Sequence, residues 1–128
     1  MSDTGPPASE SLWDLLAEDE RGQSVVISDP ARPDNPIIFV SPEFEAQTGY
    51  SADEAIGRNC KFLQGPGADA NAIAAIRHAL AARAQITIDV KNYRKDGTPF
   101  MNRLRIRPIY DASDELIFFA GVQNPIST

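Results

Sequence analysis

The residues able to do chemistry are few. The chain has one cysteine, Cys60, and one histidine, His78, in 128 residues. A single cysteine excludes an intramolecular disulfide and any four-ligand zinc site built on cysteines. Nucleophilic catalysis by Cys60 would need a base beside it, and nothing in the sequence pairs it with His78, which follows Arg77 in a helical stretch. Without a base, a thiol stays mostly protonated near neutral pH. Three carboxamides are more informative. Side chains alternate along a strand, so parity assigns faces. Ile86, Ile88 and Val90 share a face with Asn92; Phe100, Leu104 and Ile106 share one with Asn102; Ile117, Phe119 and Gly121 share one with Gln123. Each amide thus lies on the apolar side of its strand, while Arg103, Arg105 and Arg107 take the opposite side and are expected in solvent.

A buried amide without a partner costs about 1–3 kcal/mol. Any one of the three could bond a loop backbone or water at a strand end. All three together point to a bound planar polar ligand, since a carboxamide donates and accepts at once and suits a ring edge of alternating C=O and N–H groups. Gly121, a glycine inside a strand, marks either a bulge or the close approach of such a body to the backbone.

The elements that must position these groups follow from local signals. Residues 1–10 read as a polar, proline-containing tail. In 11–20, Leu12, Trp13, Leu15 and Leu16 share one side of a short helix, with Ser9 or Ser11 as its cap and the acidic residues in water. Ser24–Ser28 and Ile37–Val40 are strands, separated by the loop Asp29–Pro36 with three prolines. Ser41-Pro42 starts a helix that Gly49 stops, Ser51 and Glu54 form a capping box for a helix ending at Gly57, and Asp69 caps a longer helix to about Arg83. Its Ile73, Ile76 and Leu80 share a face. Strands over 85–94, 98–110 and 115–123 are joined by Lys95-Asp96-Gly97 and Asp111–Asp114, as in sequential hairpins. The expectation is an α+β domain: an antiparallel sheet with one face under a central helical block.

Charge is uneven. Of 18 acidic residues six lie in 1–20, which has no Lys or Arg; the remainder carries twelve of each sign, so the whole −6 belongs to that first segment. This argues against a general nucleic-acid binder and against attraction to anionic membranes. No apolar run approaches the roughly 20 residues of a membrane span, and no secretory signal is visible, so a reducing cytoplasm is the expected compartment.

Residues 57–66, Gly-Arg-Asn-Cys-Lys-Phe-Leu-Gln-Gly-Pro, resemble the GxNCRFLQ signature of LOV (light-oxygen-voltage) domains, flavin-binding blue-light sensors of the PAS superfamily. SDPARPDNPIIFVS and TGYSADEAIG before it, and NYRKDGTPFMNRLRIRPIYD and FFAGVQN after it, extend the likeness over about residues 23–124. The layout is similar to that of bacterial short LOV proteins. The resemblance implies a PAS fold, with a five-stranded antiparallel sheet, short helices around the flavin and an N-terminal cap helix. It divides the chain into a tail and cap (1–22), a sensor core (23–124) and a C-terminal tail (125–128).

It further implies a cofactor and roles. Cys60 matches the photoactive cysteine. Asn59, Leu63 and Gln64 match flavin contacts, Arg77 a phosphate-binding arginine, Asn92 and Asn102 the asparagines on the pyrimidine edge, and Gln123 the glutamine at flavin N5. Val26, Ser28, Ile73, Leu80, Leu104, Ile106 and Phe119 match ring-lining positions. Lys61 stands where the motif has arginine; the charge is kept, so FMN is implied ahead of riboflavin or FAD, with Lys61 and Arg77 on its phosphate. The implied function is a blue-light photoreceptor, not an enzyme, that binds FMN non-covalently and forms a reversible cysteinyl–flavin C4a adduct. Leu116, Phe118, Ala120 and Val122 with Val25 and Ile27 form an outer apolar patch, which the cap helix, a second subunit in a homodimer, or both should cover. No effector segment is evident, and the downstream partner stays unknown. The alternatives are a PAS-type small-ligand or flavin redox module without photochemistry, and an enzyme using Cys60.

Overall fold

The computed structural model describes residues 12–67 and 69–126. The expected tail and the serines proposed to cap the first helix lie outside these residues. Six strands form one antiparallel sheet: β1 (Ser24–Ser28), β2 (Ile37–Val40), β3 (Ile86–Tyr93), β4 (Pro99–Tyr110), β5 (Leu116–Gln123) and β6 (Pro125–Ile126). The order is β2-β1-β5-β4-β3, with β6 beside β4. The sixth strand is a correction. Sequence places Pro125 and Ile126 in a C-terminal tail, yet they pair with Asn102 and Met101, and Arg103 N–H donates to Asn124 O at 2.7 Å.

The helices between β2 and β3 begin and end where their caps dictate. Ser41 Oγ accepts from Phe44 N–H and starts Pro42–Thr48, which Gly49 closes at φ 81°. Ser51 and Glu54 make the reciprocal capping box of Ala52–Ala55. A 3₁₀ turn spans Cys60–Leu63 behind Asn59, whose Oδ1 accepts from Lys61 N–H. Asp69 caps Ala70–Ala82 through Asn71 N–H. This block packs on one sheet face in two apolar clusters, one around Val26, Ile37, Phe44 and Leu63, the other around Ala72, Val90, Leu104 and Phe119.

The other face is covered too, so β1 is buried at all five positions. Leu12 and Leu16 pack on Val25, Ile27, Phe118, Ala120 and Val122, with Trp13 alongside at 6.3 Å from the Phe39 ring. In the covering segment Leu12 and Trp13 are helical, the chain turns over 14–16 with Leu15 and Leu16 N–H bonded three residues back, and a 3₁₀ turn follows at Glu18–Glu20.

Two expectations about charge are corrected here. Glu20 does not face water: it is 2 % exposed. Arg107 is not in solvent either. Its Nε and Nη2 donate to the two Glu20 oxygens, each at 2.7 Å, and Nη2 also donates to Leu15 O at 3.1 Å. Arg105 reaches Asp19 at 3.5 Å. The acidic segment is therefore the electrostatic complement of the arginine stripe on β4, and it crosses the sheet where that stripe runs. Burial of apolar side chains supplies the cohesion, about 1.5–3 kcal/mol for each fully covered Leu. The charges set where the segment lies.

Candidate functional site

Between the helical block and the sheet lies a cavity of about 420 Å³, a size typical of small-molecule sites, which run from about 300 to 1,000 Å³. Four strands, the long helix and the 3₁₀ turn contribute. Val26 and Ser28 come from β1, Asn92 from β3, Leu104 and Ile106 from β4, and Phe119, Gly121 and Gln123 from β5. The long helix supplies Ile73, Arg77 and Leu80, and the 3₁₀ turn with its flanks supplies Asn59, Cys60, Lys61, Leu63 and Gln64. All the sequence-predicted site residues but one line this cavity.

The exception is Asn102, which is fully buried and is not a lining residue. Strand parity placed it on the correct face, but it sits between its neighbours and bonds to them. Its Nδ2 donates to Asn92 Oδ1 at 2.9 Å and to Gln123 Oε1 at 2.5 Å, and its Oδ1 accepts from Asn124 N–H at 2.9 Å. These bonds orient the two amides that do line the cavity. Both now have their oxygens committed, Asn92 Nδ2 donates once, to Lys91 O, and Gln123 Nε2 once, to Gly121 O at 3.4 Å. An amide nitrogen carries two protons, so each retains one for an acceptor on a ligand.

Cys60 is a free thiol at the start of the 3₁₀ turn. It is half-buried, its exposed part opening on the cavity. Burial pushes its pKa up to about 12. The thiol is therefore neutral, and no basic side chain is placed to change that among the described residues.

Gly121 lines the cavity without a positive φ. A Cβ there would meet Val26 Cγ2 at 3.4 Å and Gln123 Nε2 and Leu104 Cδ1 at 3.6 Å, all ordinary contacts. The backbone and its neighbours thus tolerate a methyl group; what it would take up is cavity.

Sequence reading missed the loop Asp29–Pro36, whose Pro30, Arg32, Asp34 and Asn35 line the mouth. The signal was present in the prolines and in the stretch DPARPDNP, but it read as a connection. What brings the loop to the site is long-range: Asn59 Nδ2 donates to Asp34 O at 2.7 Å, and Lys61 Nζ lies 3.6 Å from Asp34 Oδ1. Asn35 Oδ1 is buried there without a protein partner. The lining holds three cations, Arg32, Lys61 and Arg77, and one carboxylate, Asp34. The mouth is positive in a chain of net charge −6.

A deep cavity under a helical block, bounded by a sheet with order 2-1-5-4-3, defines a ligand-sensing domain. The family model that matches residues 22–127 is that of the PAS domain, and the chain belongs to this family. Within it the likeness is to the LOV domains, the blue-light sensors. A solved LOV-domain structure from a flavin-analogue study of LOV mechanism superposes with a TM-score of 0.83 at 42 % identity, covering 91 % of this chain and 85 % of that one. A blue-light photoreceptor of Listeria monocytogenes is 51 % identical over 104 residues, 81 % of this chain and 41 % of its own length. A blue-light-activated histidine kinase of Brucella ovis is 48 % identical over 99 residues, 77 % of this chain and 20 % of its own. The chain thus spans less than half the length of these curated relatives. The kinase corrects one expectation: the reading of the chain as not an enzyme is overturned, because a relative that matches most of this chain is itself an enzyme, a blue-light-activated histidine kinase. No described helix is long and apolar enough to cross a membrane.

Proposed function

We propose that the chain senses blue light by holding FMN non-covalently in this cavity, beside Cys60. The observation that carries the reading is the joint placement, around one cavity, of a thiol kept neutral by burial, two amides with free N–H donors, and a mouth of three cations against one carboxylate. The space a Gly121 Cβ would fill supports close approach of a flat ring.

Bound here, the flavin would supply a ring that absorbs blue light and a carbon able to accept the sulfur of a thiol. The chain supplies the rest. Cys60 holds its proton in the dark and provides sulfur and proton together. Gln123 would offer its remaining Nε2 proton to a ring nitrogen that accepts, and by turning its amide would offer Oε1 to one that donates. That turn has a consequence in the protein: it would set Gln123 Nε2 against Asn102 Nδ2, two donors face to face where a bond now exists. Asn102 must respond, and its Oδ1 holds Asn124 N–H, at the junction of β5 and β6. The change can leave the site along the sheet this way, or across β5 to the covering segment.

The reading takes the sensor core to run through Ile126, since β6 completes the sheet. Leu12 and Leu16 already cover the outer face, so a homodimer through the outer sheet face and N-terminal helix would be built on the cap, not on bare sheet. The mechanism needs a reduced thiol, which suits the cytoplasm.

The test is an absorption spectrum of the purified protein before and after blue illumination, then in darkness. A structured blue band that bleaches and returns is expected; a colourless protein, or a band that never bleaches, would refute the reading. Gly121→Ala checks the fit separately. The flavin-free variant should melt within about 1 kcal/mol of the unaltered protein, while flavin affinity falls about tenfold or more, because the methyl overfills an occupied site. Calorimetric titration of flavin reads the second effect.

A further inference from the structure

We infer that Arg32 is a specificity-determining residue of the cavity, an arginine that leaves an aspartate to grip the phosphate of the ligand. The inference rests on the flavin reading above and goes beyond it, since neither the motif nor the longer helix contains this residue.

Arg32 sits on a loop that is built to hold it. Asp29 N–H donates to Pro36 O at 3.0 Å and closes the loop, Arg32 N–H donates to Asp29 O at 3.2 Å, and Asn35 N–H donates to Arg32 O at 3.2 Å. The loop is tied to the Cys60 turn by Asn59 Nδ2 on Asp34 O. The Arg32 side chain lines the cavity, and its Nε lies 3.1 Å from Asp29 Oδ2. The side chain is 47 % exposed, so this pair is weak and readily exchanged. Its terminal nitrogens donate to no acceptor among the described residues. A guanidinium has five N–H donors in a planar fork.

The charges at the mouth fit a phosphate monoester. Among the lining residues Arg32, Lys61 and Arg77 against Asp34 sum to +2, and Asp29 behind Arg32 leaves the mouth at +1, the sign that a phosphate monoester of about −1.5 to −2 at neutral pH requires. Each cation comes from a different element: the β1–β2 loop, the 3₁₀ turn and the long helix. Lys61 supplies a point charge only, 3.6 Å from Asp34. The bidentate fork that a lysine at the motif position cannot offer is available from Arg32, across the same opening. Asp29 is the resting partner, and its other oxygen stays on Ala31 N–H at 3.0 Å during the exchange.

The experiment titrates FMN and riboflavin separately into the flavin-free protein, into Arg32→Gln and into Asp29→Asn. The unaltered chain should prefer FMN. Arg32→Gln should lose about tenfold in FMN affinity, the loss of a charge-assisted hydrogen bond, with riboflavin affinity unchanged and a shallower salt dependence for FMN. Asp29→Asn keeps the acceptor for Ala31 and frees the guanidinium, so its preference for FMN should rise. Arg32→Lys should recover only part of the loss. Equal weakening of both flavins in Arg32→Gln would make Arg32 a structural loop residue and overturn the inference, as would an unchanged ratio. Riboflavin bound as tightly as FMN by the unaltered protein would overturn it while leaving the flavin reading intact. Binding of neither flavin would overturn both.

Discussion

Cys60→Ala is expected to leave flavin bound and to abolish reversible bleaching under blue light altogether. The substitution removes one sulfur from a half-buried side chain and leaves the 3₁₀ turn, its Asn59 cap and the lining amides in place. Flavin affinity should therefore change less than about threefold, well under the effect of losing a phosphate contact. The same residue predicts an unusual pH response in the dark. Its pKa is raised to about 12, so at pH 9, where an ordinary thiol is half ionised, Cys60 remains protonated. Alkylation by a maleimide or iodoacetamide should be slow at neutral pH and should gain little between pH 7 and 9, whereas a short unfolded peptide with the same cysteine gains steeply. The linked stability has a definite sign. Because the folded pKa lies above the unfolded one, the contribution is complete below about pH 9 and disappears as pH rises towards 12. Cys60→Ala should lack that alkaline limb. A variant that still bleached and recovered would sink the proposed role of the thiol.

How far the sequence discloses this site depends on whether the deciding contact is local. The caps of Ser41, Ser51 and Asp69 are set by residues two or three positions away, and the helices begin where those residues stand. Strand parity is equally local and placed Asn92, Asn102 and Gln123 on one face. Parity does not say what lies beside a residue on its sheet. Asn102 sits opposite Val90 on β3, within reach of Asn92 and Gln123 from flanking strands, so its amide is satisfied by the protein before it reaches the cavity. Arg107 is a second case. Its face was readable, but its burial depends on Glu20, 87 positions earlier, arriving on that face. The loop Asp29–Pro36 is a third. Its prolines announce a turn-rich connection, while its place at the cavity mouth depends on Asn59, 25 positions beyond Asp34. β6 is only two residues long and is held by pairing to β4, with no periodicity of its own to detect.

Glu20→Ala is expected to release the N-terminal segment from the sheet while leaving the flavin site closed. One Glu20 oxygen accepts from Arg107 Nη2 and from Ala17 N–H at 2.8 Å, the other from Arg107 Nε. Alanine leaves all of these donors without their acceptor. Breaking a buried pair from one side costs about 3–5 kcal/mol; Arg107 is 27 % exposed and regains some water, so about 2–3 kcal/mol is expected. Asp19→Ala is the control. The Asp19–Arg105 pair is 3.5 Å long and exposed on both sides, so its loss should change stability by less than about 0.5 kcal/mol. Trp13 reports the result, because it is the only tryptophan and lies in the segment that moves, against Phe39. Its emission should shift to the red in Glu20→Ala and stay unchanged in Asp19→Ala. Acid should act like the mutation. Burial raises the Glu20 pKa, but the Arg107 hydrogen bonds, the Ala17 N–H and the nearby arginine charges outweigh it, and the net shift is downward. The carboxylate's contribution is therefore fully present above the ordinary glutamate range near 4.5 and is lost as pH falls below it through the folded value. Trp13 emission in the unaltered protein should follow that acid limb, and Glu20→Ala should not show it. The segment packs on Ala120 and Val122, whose neighbours Gly121 and Gln123 line the cavity from the opposite face of the same strand. A change at Gln123 therefore reaches the segment through one strand's thickness. Illumination should alter Trp13 emission in the unaltered protein, and in Glu20→Ala that difference should vanish while bleaching persists. A light response of Trp13 that survived the loss of Glu20 would show that the pair holds the segment without gating it.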